Sequence, residues 1–167
     1  LSFDLAVIGG GFAGLGTSIT AARMGLRVAL IQDRPLVGGN NSSEIRVQLG
    51  GLVHQPPYIH LGNVVDELDA HFRQNARGAS RYKDEKKMDA VIKQEGLTTF
   101  FYYHAISVEQ TEDKTINSIC ISSITSNEFL RIIAPLFVDC TGDASIGAFA
   151  GADYAYGRES RRETKET

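Results

Sequence analysis

The spacing of hydrophobic and polar positions changes several times within residues 4–33. Leu5–Ile8 is a short apolar run, a glycine-rich turn follows it, a segment with helical spacing comes next, and 28–31 is a second apolar run. Short apolar runs on both sides of a helical segment are typical of parallel strands that are buried on both faces. The pattern therefore predicts a strand, helix, strand unit and an α/β fold built on a parallel sheet.

The turn between the first strand and the helix contains Gly9, Gly11 and Gly14 in the spacing G-x-G-x-x-G. In this arrangement the first glycine allows a tight turn, the second lets the main chain approach a pyrophosphate, and the third lets the helix pack closely on the strands. The helix N-terminus adds unpaired N–H groups and a partial positive charge. The turn predicts a dinucleotide site, with an ordinary α/β turn that binds no ligand as the alternative.

The end of the second strand is where such folds place an acidic side chain that binds the adenosine ribose. Gln32 occupies that position here, with Asp33 and Arg34 after it. A glutamine carbonyl accepts a hydroxyl hydrogen bond more weakly than a carboxylate does. We therefore expect ribose contacts to be shared among these three residues, and Gln32→Glu to bind at least as well.

A second glycine pair, Gly38 and Gly39, follows the second strand, and Asn40 begins a run of Asn and Ser that ends at Glu44. This pair permits another close approach of the main chain, and the polar run is typical of a helix start. A longer dinucleotide with a flavin end would use this additional contact. A glycine-rich surface loop is the alternative interpretation.

The middle of the chain offers little visible chemistry. Residues 50–62 read as an irregular loop, and its His54 and His60 lack an acidic or cysteine partner at metal-ligand spacing, so no metal site is expected. Amphipathic helices are predicted over 63–75, with Asn63 as N-cap and Phe72 on the apolar face, and over 83–95. The charged residues at 84–87 are predicted to form a solvated face.

The last third of the chain is predicted to form strands over 98–108, 116–125 and 129–133, which together make an antiparallel meander. A final parallel strand is predicted over 136–140. It is followed by Thr141, Gly142 and Asp143, and Asp143 is a candidate N-cap for a helix over 144–150.

Composition excludes several classes of protein. The chain has 167 residues, 43% of them hydrophobic and 22% charged, which fits one globular domain. The net charge of −3 argues against nucleic acid as a partner, and no apolar run approaches the ~20 residues that span a bilayer. Cys120 and Cys140 form no C-x-x-C pair and are expected to be buried, unreactive thiols. The cytoplasm is the expected compartment; the chain starts at Leu1 and not at Met, so we expect the natural start, where a targeting signal would lie, to be missing from the sequence.

Three stretches carry a family resemblance: GGGFAG, then ALIQDRPLVGGNNSSEIRV, then LFVDCTGDASIGAFAGADYAYGRE. They resemble FAD-dependent oxidoreductases with a glutathione reductase-like FAD domain, and in particular a bacterial branch that carries GGN followed by Ser. That branch frequently has Gln at the position of Gln32, and its genes often lie among those for carbohydrate breakdown. The resemblance implies FAD as cofactor, hydride transfer at the flavin, and a small-molecule, carbohydrate-related substrate.

The same resemblance implies that an antiparallel sheet precedes the last parallel strand, with Ala105 and Ile106 near the adenine. The full set of expected cofactor-binding residues is Gly9, Gly11, Phe12, Ala13, Gly14, Gln32, Asp33, Arg34, Gly39, Asn40, Ala105, Ile106, Thr141, Gly142 and Asp143.

The predicted organisation is an FAD-binding Rossmann-like domain over 1–157, with a loop and helical insertion over 50–97 and the meander over 98–133. Residues 158–167 are predicted to be a frayed, charged tail or the start of a further segment, because relatives continue into a substrate domain. No catalytic residue is named. Two alternatives stay open: a nucleotide-binding module without turnover, and an NAD-dependent dehydrogenase, which Gly38, Gly39 and the meander disfavour.

Overall fold

The structure, a computed structural model, describes residues 1–70 and 74–165. Two sheets and several helices form three layers within this part of the chain. The strands are β1 (Leu5–Ile8), β2 (Val28–Gln32), β3 (Leu97–Phe101), β4 (Tyr103–Gln110), β5 (Ile116–Ser123), β6 (Phe129–Ile133) and β7 (Phe137–Asp139). The helices are α1 (Phe12–Arg23), α2 (Asn63–Glu67), α3 (Asp84–Ile92), α4 (Ser145–Phe149) and α5 (Arg161–Thr164), with 3₁₀ turns at Gly39–Asn41 and Ala79–Tyr82.

The central sheet is parallel, with strand order β3-β2-β1-β7. β1 pairs with β2 so that Leu5 lies opposite Val28, and it pairs on its other side with β7 so that Ile8 lies opposite Asp139. The carboxyl ends of β1, β2 and β7 therefore share one edge, which is where open α/β sheets bind ligands. The predicted α/β class and Rossmann-like sheet are confirmed.

Successive side chains of β1 point to opposite faces of the parallel sheet, so the hydrophobic core has one part on each face. Leu5 and Val7 pack with Leu15 and Ile19 of α1. Ala6 and Ile8 instead face the antiparallel sheet, where they pack with its buried isoleucines, namely Ile119, Ile121 and Ile132. Both faces of the parallel sheet are covered, which explains why β1 and residues 28–31 of β2 are apolar.

The prediction of one continuous strand over 98–108 is wrong. Tyr102 has φ +61°, a left-handed conformation that ends β3 at Phe101 and starts β4 at Tyr103. β3 pairs in parallel with β2, so it belongs to the central sheet, and the antiparallel sheet β4-β5-β6 begins at Tyr103 rather than at residue 98. The aromatic and β-branched residues around the break favour a strand on both sides, and the pattern therefore hides the change of sheet.

The helices of the insertion are shorter than the sequence pattern predicts. α2 ends at Glu67 and Asp69 has φ +54°, while Gly62 and not Asn63 is the N-cap. Phe72, which was predicted on the apolar face of this helix, lies outside the described residues. α3 covers Asp84–Ile92 of the predicted 83–95.

The described part of the predicted charged tail contains some regular structure. It contains the short helix α5, which Ser160 and Glu163 stabilise as a capping box. Residues 166 and 167 of the predicted tail lie outside the described residues.

The contact between α1 and β1 is unusually close. A Cβ added at Gly14 would lie 1.9 Å from the Gly9 carbonyl oxygen, far inside any van der Waals distance. Gly9 itself has φ +106°, and a Cβ there would lie 2.2 Å from the Cys140 carbonyl oxygen. The roles predicted for Gly9 in the turn and Gly14 in helix packing are confirmed.

We expect Gly14→Ala to lower the thermal unfolding temperature, because the added methyl group must push α1 away from β1. Overpacking of this kind costs about 1–3 kcal/mol or more. Gly16→Ala is the matched control: it lies in the same helix, and its Cβ would meet nothing within 4 Å. Thermal unfolding followed by circular dichroism should show a lower unfolding temperature for Gly14→Ala only. Equal unfolding temperatures for the two variants would contradict the close packing described above.

Candidate functional site

A cavity of about 380 Å³ opens at the carboxyl ends of the parallel strands. It brings together most of the residues predicted to bind a cofactor, which come from five separate stretches of chain. Those that line it are Gly9, Gly11, Gln32, Asp33, Arg34, Gly39, Asn40, Ala105, Thr141, Gly142 and Asp143. The cavity also has walls that sequence reasoning missed, namely Ile8, Gly10, Ile31, Tyr103, His104, Cys140 and Ser145.

The first and second glycine turns touch each other through their main chains. The Gly38 N–H donates to the Gly10 carbonyl oxygen at 2.7 Å. A Cβ added at Gly39 would lie 3.1 Å from the Gly11 Cα, and both Gly38 and Gly39 have positive φ, of +110° and +56°. The second turn therefore forms part of the cavity wall, and it is not a detached surface loop.

Gly11 provides open main chain at the start of α1. A Cβ built there meets nothing within 4 Å, and the same holds for Gly142 on the opposite wall. The first turn of α1 carries no acidic residue, so its free N–H groups and its dipole face the cavity without a competing anion. These features fit a phosphate-containing ligand, since a side chain at Gly11 would fill the space that such a group needs.

Gln32 lies at the predicted position, but its side chain is already engaged. It is 4% exposed, its Oε1 accepts from the Gly10 N–H at 2.8 Å, and its Nε2 donates to the Leu36 carbonyl oxygen at 2.7 Å. The amide thereby joins the first glycine turn to the segment that leads into the second. Asp33 is exposed at the cavity wall beside it, so a carboxylate is available there for a ribose hydroxyl.

A third glycine turn, formed by Thr141, Gly142 and Asp143, follows β7, and Asp139 holds it in place. The sequence analysis did not single out Asp139. Its Oδ1 accepts two hydrogen bonds from Thr141, from the hydroxyl at 2.7 Å and from the N–H at 3.0 Å. Its Oδ2 accepts from the Ile146 N–H at 2.8 Å and from the Gly147 N–H at 3.2 Å. Desolvation raises the pKa of Asp139, but these hydrogen bonds outweigh it, and the net pKa lies below the ordinary value.

The prediction that Asp143 caps the following helix is wrong. Ala144 is the N-cap of α4, with φ +55° and no side-chain cap. The Ser145 N–H at the start of this helix donates to the Thr141 hydroxyl oxygen at 3.2 Å, and Asp139 Oδ2 accepts from the next two N–H groups, those of Ile146 and Gly147. Asp143 is exposed at the cavity wall.

Four of the predicted residues do not line the cavity. Gly14 is buried against β1, Phe12 packs on the hydrophobic core, and Ala13 is exposed in the first turn of α1. Ile106 lies at an irregularity in the pairing of β4 with β5, between Ala105 and Ser107, and is 38% exposed. Because of this irregularity, only Ala105 of the two residues that the resemblance places near the adenine lines the cavity.

Among the cysteines and histidines, Cys140 and His104 line the cavity. Cys120 and Cys140 are both free and half-buried rather than buried, and burial together with the neighbouring Asp139 raises the pKa of the Cys140 thiol. His54 lies away from the cavity wall, with Nε2 2.5 Å from Asp66 Oδ2 and Nδ1 2.7 Å from the Ile59 carbonyl oxygen. Residues 1–70 and 74–165 contain no cluster of three potential metal ligands.

None of the helices in the described residues combines the length and apolar character that crossing a bilayer requires.

The fold and the cavity define a dinucleotide-binding α/β protein with a second glycine turn and an antiparallel sheet. Comparison with known families agrees: the FAD dependent oxidoreductase family matches residues 4–167. The chain belongs to this family, and its cofactor is FAD.

The chain aligns with only part of the length of two curated relatives. It is 26% identical over 150 residues to the soluble pyridine nucleotide transhydrogenase of Ectopseudomonas mendocina, a match that covers 84% of this chain and 31% of the relative. It is 46% identical over 50 residues to the glycerol-3-phosphate dehydrogenase of Mycobacterium leprae, covering 30% of this chain and 8% of that enzyme. The chain thus spans under a third of the length of either relative.

Solved structures share the fold at low sequence identity. A flavoprotein/dehydrogenase from Cytophaga hutchinsonii aligns with a TM-score of 0.66 at 16% identity, covering 95% of this chain and 44% of that one. THI4 of Thermovibrio ammonificans aligns with a TM-score of 0.62 at 22% identity, covering 99% of this chain and 64% of that one. These likenesses establish the fold.

The geometry of Asp139 predicts a pH-dependent contribution to stability. Because its folded pKa is lowered, it stabilises the fold above its unfolded pKa of about 3.9, and this contribution is lost as the pH falls through the folded value. Asp139→Asn should therefore lower the unfolding temperature at pH 7, and its deficit relative to the parent protein should shrink as the pH is lowered below 4. Asp143→Asn is the control, for which the parent and variant curves should stay parallel. A deficit for Asp139→Asn that is independent of pH would contradict the assignment.

The engagement of Gln32 reverses the outcome expected for Gln32→Glu. A glutamate would place a carboxylate oxygen against the Leu36 carbonyl where the amide now donates, and the pair would repel. Losing a buried hydrogen bond in this way costs about 1–3 kcal/mol, so we expect a lower unfolding temperature and weaker FAD binding. Gln55→Glu is the control, because Gln55 also donates to a carbonyl, that of Val53, but in an exposed loop. Tighter FAD binding by Gln32→Glu, measured by titration calorimetry, would restore the ribose role.

Proposed function

We propose that this chain forms the FAD-binding part of an oxidoreductase that transfers hydride between a small-molecule substrate and the flavin. The observation that carries the proposal is the meeting of three glycine turns, at Gly11, Gly39 and Gly142, around one cavity at the carboxyl edge of the parallel sheet. Each turn brings bare main chain to the cavity wall, which is what a long, anionic cofactor needs at several points along its length.

The pyrophosphate is proposed to lie at Gly11 and the N-terminus of α1. The open space at Gly11 and the absence of an acidic residue in the first turn of α1 support this position. Asp33 and Arg34 are proposed to hold the adenosine ribose, since both line the cavity where β2 ends. Gln32 positions the two turns through its amide and does not itself need to contact the ribose.

The adenine is proposed to lie against β4, where Tyr103, His104 and Ala105 form a wall of the cavity. Gly39 and Asn40 are proposed to face the flavin side, and Thr141 and Gly142 to close the site, held in place by Asp139. When bound, FAD supplies the hydride-accepting chemistry, and the residues of this chain bind it, orient it and set the electrostatic environment.

The substrate is proposed to be a carbohydrate-related small molecule, and the support for this is the resemblance to the GGN-containing branch. The relatives named above widen the range of substrates to be tested, because one is a pyridine nucleotide transhydrogenase and the other a glycerol-3-phosphate dehydrogenase.

The test is anaerobic reduction of the purified, FAD-loaded protein, followed by the loss of flavin absorbance. The donors are NADH, NADPH, glycerol 3-phosphate and a panel of monosaccharides and their phosphates. Reduction by a sugar supports the full proposal. Reduction by another donor supports an oxidoreductase whose substrate is not carbohydrate-related. Flavin that only dithionite reduces would favour a binding module without turnover, and binding of NADH without FAD would favour an NAD-dependent dehydrogenase.

We expect Gly11→Val to abolish FAD binding, because the side chain would occupy the space proposed for the pyrophosphate. The fold should be retained, since φ at Gly11 is −69° and a Cβ there meets nothing within 4 Å. Gly16→Val is the control: its Cβ also has open space, but it does not line the cavity. Flavin absorbance after gel filtration and far-UV circular dichroism measure the two properties. Wild-type affinity in Gly11→Val would place the pyrophosphate elsewhere.

A further inference from the structure

Lys87 is a buried cation that the sequence pattern assigned to a solvated face. It lies on α3, within the helical insertion, and it is fully buried, with a relative exposure of 0%. Its neighbour Lys86 on the same helix is exposed, as the pattern predicted. Removing an ammonium group from water is costly unless several partners compensate it. The partners of Lys87 therefore indicate what the charge is used for.

Both oxygens of one residue of the second glycine turn accept from Lys87. Its Nζ donates to the Asn41 main-chain carbonyl and, at 3.1 Å, to the Asn41 side-chain Oδ1. The packing is close at the other end of the turn as well, because a Cβ at Gly38 would lie 3.2 Å from Nζ. Lys87 thus supports the turn that contains Gly39 and Asn40 from the side opposite the cavity.

A second side chain of α3 reinforces this attachment. Asp84 accepts from the Ser43 N–H, with oxygen distances of 3.2 and 3.1 Å, and its Oδ1 lies 3.8 Å from Lys87 Nζ. One turn of helix therefore holds the second glycine turn at two positions, Asn41 and Ser43, through a cation and a carboxylate that also compensate each other.

Lys87 also reaches the first glycine turn. Its Nζ lies 5.5 Å from the centre of the Phe12 ring, within the range of a cation–π interaction. Phe12 is the first residue of α1 and directly follows Gly11. The ammonium group is therefore placed between the backs of the two glycine turns, and it does not line the cavity.

We propose that Lys87 is a positioning residue of the FAD site. It fixes the second glycine turn against the first, behind the wall where the pyrophosphate is proposed to lie. The inference rests on the proposed function. It also assigns the insertion, in which the sequence shows no chemistry, a part in cofactor binding.

Lys87→Met tests the proposal, with Lys86→Met as the matched control, because both remove one charge from the same helix. The first readout is amide hydrogen exchange of the FAD-free protein. In Lys87→Met the amides of residues 38–43 should exchange at least tenfold faster than in the parent protein, and in Lys86→Met they should be unchanged. The second readout is the FAD dissociation constant, which should rise about tenfold or more for Lys87→Met, as expected when hydrogen bonds to a charged group are lost.

A merely structural role would lower the unfolding temperature without weakening FAD binding by the folded variant. That result, or unchanged exchange at 38–43, overturns the inference. If the parent protein itself fails to bind FAD, the proposed function fails instead, and the two failures are therefore distinguishable.

Asp84→Asn keeps the test decisive if Lys87→Met does not fold. This variant weakens the hydrogen bonds to the Ser43 N–H and leaves the buried ammonium in place. We expect faster exchange at Ser43 and an FAD dissociation constant raised severalfold, with Glu85→Gln on the same helix as the control. FAD binding equal to that of the control would overturn the inference.

Discussion

The close contact between Gly14 of α1 and the Gly9 carbonyl is the constraint on which the site depends. With no Cβ at Gly14, the helix can lie directly on the end of β1, and its N-terminus is thereby fixed at the edge of the sheet. Gly9 in turn lies against the Cys140 carbonyl after β7, and this second close contact sets the distance between the first and third glycine turns. The cavity is therefore bounded by main chain whose position follows from the packing of the central sheet.

The remaining parts of the site are attached to this contact by a small number of polar side chains. Gln32 connects the first turn to the chain leaving β2, Lys87 and Asp84 hold the second turn from α3, and Asp139 holds the third turn together with α4. Each of these side chains binds main-chain atoms and replaces water at a place where a regular strand or helix has ended. Polar side chains thus provide the shape of the site, and the open glycines provide its surface.

The sequence predicts the central unit well because its signals are local. The apolar runs of β1 and β2 and the spacing of Gly9, Gly11 and Gly14 all act within a few residues, and the structure confirms the strands and the turn between them. The family resemblance adds FAD, which the family match supports.

The failures of sequence reasoning involve contacts between distant segments. Nothing in a strand-forming run shows that Tyr102 takes a left-handed conformation and divides it, and a run of four charged residues does not reveal that one of them, Lys87, turns inward. Asp143 has the composition of a helix cap, but the direction of β7 gives that task to Asp139. In each case the deciding partner lies far along the chain or depends on backbone geometry that composition does not encode.

The break at Tyr102 has a consequence for how the protein tolerates change in length. Because a single residue separates β3 from β4, the pairing of β3 with β2 fixes the height at which Tyr103, His104 and Ala105 enter the wall of the cavity. Adding or removing one residue at this junction would exchange the inward and outward sides of β4. The turn at 111–115 lies at the opposite end of β4 and does not line the cavity, so evolution can change its length while the junction stays at one residue.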